Sequence, residues 1–96
     1  MKPTLKEEIQ QAVELSAECP AAFIETVAVV EMFGSKVAWE GVVDVFDLKG
    51  HPKAKRAYGW AYRDGTENRF VAVLEIPPVD SANTAVRLAI AQKAQK

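Results

Sequence analysis

FIETVAVVEMF at residues 23–33 and KVAWEGVVDVFDL at residues 36–48 flank Gly34-Ser35, and this stretch decides the fold. Both runs are rich in β-branched and aromatic side chains, which pack well on a pleated surface and lose rotamer freedom in a helix. Glycine in the first position of a two-residue connection suits a type II′ hairpin turn. A helix capped by Pro20 and Gly34 is the competing reading. Ile24, Thr26, Val27, Val29 and Val30 count against it. If Phe33 faces Lys36, then Met32 pairs with Val37, Val30 with Trp39, Ala28 with Gly41, Thr26 with Val43 and Ile24 with Val45. That makes one nearly continuous apolar face. The reverse face pairs Glu31 with Ala38, Val29 with Glu40, Val27 with Val42 and Glu25 with Asp44. The last pair sets like charges opposite each other, which is the one conflict in the pattern.

Upstream, residues 4–17 read as a helix. Thr4 can cap it, Glu7 can reach back to the cap amide, and Leu5, Ile9, Ala12, Val13 and Ser16 share a face. Downstream, residues 56–63 and 69–76 read as a second hairpin around Asp64-Gly-Thr-Glu-Asn68. Facing Arg63 with Arg69 sets Tyr62 beside Phe70, Trp60 beside Ala72 and Tyr58 beside Leu74. Pro77-Pro78 ends the strand, because proline supplies no ladder donor. Asp80 or Ser81 then caps a helix over residues 81–93, with Ala82, Ala85, Val86, Ala89 and Ile90 on one side.

The expected architecture is therefore α+β: a single domain over residues 1–96, with a four-stranded antiparallel meander between N- and C-terminal helices. Two helices over one sheet face would cover Trp39, Tyr58, Trp60 and Phe70. Val27, Val29, Val42, Val71 and Val73 would then form a bare back face. Such a face calls for helices on both sides or for a partner, most simply a second copy of the chain, so a homodimer through these valines is expected.

Ninety-six residues suffice for one core and no separate substrate domain. With 49% hydrophobic and 26% charged residues, the chain has the balance of a globular protein rather than a disordered one. No apolar run approaches the ~20 residues of a membrane helix, and residues 1–10 lack the apolar core of a secretory signal. A single cysteine, Cys19, cannot form an intramolecular disulfide. These readings point to the cytoplasm and away from membranes. The formal net charge of −1 hides an uneven distribution, since nine of the twelve cations follow Asp47 while nine of the thirteen acids come no later than it.

Chemistry is concentrated in one place. Lys49-Gly-His-Pro-Lys-Ala-Lys-Arg56 holds four cations and the only histidine in a connection punctuated by glycine and proline. Lys49, His51, Lys53, Lys55 and Arg56 are the candidate anion-binding residues, for a phosphate, nucleic-acid or carboxylate partner. The competing reading is a solvated turn that keeps the neighbouring strand soluble. His51 stands without a second histidine or a Cys/His spacing of the zinc type, so it reads as a turn element and no metal is assigned. Cys19 reads as a space-filling thiol next to Glu18. Glu40, Asp44 and Asp47 read as solvated strand carboxylates, and Tyr58, Trp60 and Tyr62 as core rather than as stacking platforms. Phosphate-cradling and nucleophile-elbow motifs are absent. No catalytic residue or cofactor is assigned, and the chain reads as a small binding or assembly module rather than an enzyme. A small-molecule-binding protein or enzyme, with His51 or Asp47 lining a pocket, is the alternative.

The stretch from Gly50 to Arg56, followed by two strands and an alanine-rich helix, loosely resembles the second half of a double-stranded-RNA-binding domain. The resemblance implies RNA contact through that loop and through a basic helix start. Here the last helix opens Asp80-Ser-Ala-Asn-Thr84 without a lysine cluster, and an extra strand precedes the shared part.

Overall fold

A computed structural model describes residues 4–94, with side chains described from Thr4 to Gln92. Thr4 caps α1 (Leu5–Ala17) through a reciprocal capping box: its hydroxyl accepts from the Glu7 amide, and the Glu7 carboxylate accepts from the Thr4 amide. Glu18 ends the helix in the left-handed conformation at φ 57°, its amide donating to the Glu14 carbonyl. The chain then reverses sharply. Two helix side chains hold the reversal: Gln10 donates to the Ala21 carbonyl at 2.7 Å, and Glu14 accepts from the Ala21 amide at 2.9 Å.

Four antiparallel strands follow in the order β1 (Ala21–Phe33), β2 (Lys36–Leu48), β3 (Arg56–Asp64) and β4 (Glu67–Leu74), and α2 (Ala82–Ala94) closes the chain. This is the expected helix, four-stranded meander and helix. Gly34 alone carries a positive φ in the first turn, as a type II′ turn requires.

The registers differ from the simple alternation. In the first hairpin the expected pairing holds next to the turn (Phe33 with Lys36, Met32 with Val37) and at the far end near Phe23. Between these, bulges displace it by one residue, so Glu31 faces Trp39, Val29 faces Gly41, Val27 faces Val43 and Thr26 faces Asp44. A one-residue displacement moves side chains to the other face. Val29 and Val43 are consequently buried, whereas Val30 and Val42 are exposed. The displacement also removes the like-charge conflict. Asp44 meets Thr26, whose hydroxyl donates to it at 2.9 Å, in place of Glu25.

The second hairpin turns through Gly65 and Thr66, not through five residues, and its pairing is displaced accordingly: Tyr62 faces Arg69, Trp60 faces Val71 and Tyr58 faces Val73. Gly65, with φ +67°, permits the tight turn. The sheet face carrying Tyr58 and Trp60 therefore carries Val71 and Val73, while Phe70, Ala72 and Leu74 join Ala57 and Ala61 on the reverse.

The two helices cover opposite faces, which corrects the expectation that both lie over one. Ile9, Val13 and Ala17 of α1 pack on Phe46, Leu48 and Ala57, with Phe70, Ala72 and Leu74 at the margin. Ala82, Ala85 and Val86 of α2 pack on Val29, Val43, Val45, Tyr58 and Trp60. Full burial of a valine such as Val13 or Val86 contributes about 1.5–3 kcal/mol by area. The bare valine face is also corrected. Val27, Val29, Val71 and Val73 belong to the core under α2, and Val42 lies apart from them, 59% exposed.

Size complementarity explains the choice of faces. Under α1, β3 offers the small residues Ala57, Gly59 and Ala61, and a Cβ on Gly59 would lie 2.8 Å from methyls of both Ile9 and Val13. Under α2 the sheet is large and the helix is alanine-rich. Ser81 caps α2, its hydroxyl accepting from the Thr84 amide at 3.2 Å.

Candidate functional site

β2 and β3 pair over four rungs only, from Asp44 with Gly59 to Asp47 with Arg56. The 49–56 loop leaves the joined end of these strands. At the other end they part, because the β2–β3 ladder does not continue past Asp44 and Gly59 toward Lys36 and Asp64.

The basic connection is held in place by its own sequence. The His51 ring accepts at Nδ1 from the amides of Lys53 (3.0 Å) and Ala54 (2.9 Å), which requires the tautomer with its proton on Nε2. Ala54 is buried among Ala17, Ala21 and Leu48. Backbone bonds from Leu48 to the Lys55 carbonyl and from Lys49 to the Pro20 carbonyl tie both ends of the loop to the sheet. Gly50 adopts φ +85°, where a side chain is disfavoured.

Lys49, Lys53 and Lys55 are exposed and form no ion pair with another described residue. Arg56 differs. It sits opposite Asp47 and approaches its carboxylate at 3.6 Å, with both side chains about half exposed. The start of α2 carries no cation: Asp80, Ser81 and Thr84 are tied together by side-chain hydrogen bonds.

Tyr58 and Trp60 lie in the core under α2, as their alternation implies, and Tyr62 is 40% exposed at the open end. Burial pushes the Tyr58 hydroxyl well above its ordinary range, and its hydrogen bond to the Glu75 carboxylate pushes it further. Glu31, turned under α2 by the bulge, accepts from Arg87 Nε at 2.9 Å. That bond holds its carboxyl below the ordinary value, against the opposing effect of burial. Cys19 is partly buried beside the α1 core. Among the described residues no group of three or more His, Cys, Asp or Glu is placed to hold a metal ion, and no helix is long and apolar enough to cross a membrane.

The three weighed carboxylates separate. Glu40 and Asp47 are exposed, as expected, but Asp44 is only 6% exposed. It lines a cleft of about 640 Å³ where β2 and β3 part, with Thr26 beside it, Leu5 and Ile9 above it from α1, and Trp39 and Tyr62 at the divide. A second cleft of about 520 Å³ lies under the end of α2, against Trp60, Val71 and Ile90, and also reaches Trp39 and Tyr62. Neither is lined by His51, Asp47 or the basic loop, so the cleft beside Asp44 is one that sequence reading missed. The signal was present in the like-charge conflict between Glu25 and Asp44, which only a displaced register relieves. No protein-family model, curated protein or solved structure matches this chain.

Proposed function

We propose that this chain is a small cytosolic binding module that engages an anionic ligand or partner through the 49–56 loop. The observation that carries the reading is the fixed backbone beneath unpaired cations. His51 and Ala54 hold the loop, so Lys49, Lys53 and Lys55 are presented without the backbone having to order on binding. Arg56, already beside Asp47, adds less. The cation-free start of α2 favours a general anionic surface over the duplex-RNA contact implied by the resemblance. The test is titration with a short RNA duplex, single-stranded DNA and inorganic polyphosphate at low and moderate salt. Salt-sensitive binding that disappears when Lys49, Lys53 and Lys55 become alanine supports the reading. Binding that is absent, or unchanged in that variant, refutes it.

Self-association is a second reading, and it rests on a surface other than the valine face expected from sequence. The outer half of the first hairpin exposes Val30, Met32, Phe33, Val37 and Val42, and β1 is an edge strand of 13 residues. A homodimer formed there would lose mass by light scattering when Val30 and Val42 become lysine. A wild-type monomer at high concentration refutes it.

A further inference from the structure

The cleft at the open end has a chemistry opposite to that of the loop. Asp44 Oδ1 accepts from Thr26, while Oδ2 accepts no hydrogen bond from a described residue. No side-chain oxygen among the described residues is both buried and unpartnered. Oδ2 of this nearly buried residue therefore keeps some exposure, and the cleft is a space that Asp44 lines. Desolvating a carboxylate with so few hydrogen bonds is costly, and a cationic donor relieves that cost.

The walls suit such a donor. Trp39 and Tyr62 offer aromatic rings, whose faces attract cations. Leu5, Ile9 and Val42 offer apolar surface for the rest of a ligand, and about 640 Å³ is within the usual range for small-molecule sites. Glu40 adds a second negative charge to the lining. Among the described residues, Lys6 is the one cation lining the cleft, and it places its Nζ 3.9 Å from the centre of the Phe23 ring and makes no ion pair with Asp44. We infer that this cleft binds a small organic cation, an ammonium group on an apolar or aromatic body, with Asp44 as the charge partner and Trp39 and Tyr62 as its flanks. The inference does not depend on the basic loop.

Phenethylammonium and its neutral analogue phenethyl alcohol are the probes, read by tryptophan fluorescence and calorimetry on the full chain. The ammonium should bind saturably and the alcohol roughly tenfold more weakly or worse. Asp44→Asn should weaken ammonium binding by a similar factor while leaving the alcohol unchanged. Glu40→Lys, an exposed change compatible with the fold, should weaken the ammonium alone and decides the matter if Asp44→Asn does not fold. The variant lacking the three loop lysines should bind the ammonium as wild type does. Equal affinity for the two probes, no saturable binding of the ammonium, or ammonium binding indifferent to Glu40→Lys overturns the inference.

Discussion

Where β2 and β3 are joined, four rungs, a loop fixed by its own histidine and a helix seated on Gly59 hold the backbone tightly together. Where the same two strands part, a buried carboxylate and two aromatic residues border open space. The joined end is built for rigidity and displays its chemistry outward, on lysines. The open end keeps its chemistry inside. On the two proposals above, the exposed cations meet a partner's surface and the inward carboxylate meets something small enough to enter, so the two ends would select different classes of ligand.

The sharpest way to break this contrast is to crowd the joined end. Gly59→Ala places a methyl against Ile9 and Val13, and overpacking of this kind costs about 1–3 kcal/mol in a denaturant melt. Val42→Ala, exposed at the open end, should stay within about 0.5 kcal/mol. Equal losses would contradict a joined end that carries the stability. His51→Ala should cost about 1 kcal/mol and speed hydrogen exchange at the Lys53 and Ala54 amides while sparing the open end. Unchanged exchange there would mean that the ring does not hold the loop.

A smaller effect concerns the bulge. Glu31 has its folded-state carboxyl held below the ordinary value of 4.5 by Arg87, so its contribution is present above that pH and is lost as pH falls below 4.5 toward the lowered value. Glu31→Gln should flatten that part of the stability profile. An unchanged acid slope would remove Glu31 as its source.

Much of this architecture was legible in the sequence. The capping box at Thr4 and the Gly34-Ser35 turn are local signals, and each produced the structure expected of it. Faces were harder to read. The first register fits the hydrophobic pattern at both of its ends, and the bulges that displace its middle have no strong local signature. Their trace was a single misfit, Glu25 against Asp44. The second hairpin did carry local signals: Gly65-Thr66 reads as a two-residue turn, and the longer loop would have set Arg63 opposite Arg69, a like-charge pair that the observed register avoids. Helix placement follows from these registers, because a displaced hairpin exchanges its large and small faces. The candidate loop was legible because charge clusters in sequence as well as in space. The cleft was not, because Leu5, Thr26, Asp44 and Tyr62 meet only after the strands diverge.

The claim that the fixed lysines of the joined end make the functional contact is tested most directly by the salt dependence of binding to a short RNA duplex. If Lys49, Lys53 and Lys55 each meet a phosphate, the logarithm of affinity should fall against the logarithm of salt with a slope of roughly −3. Replacing all three by alanine should abolish both the slope and the binding. Affinity that is indifferent to salt, or a slope that survives in the triple variant, would contradict the account.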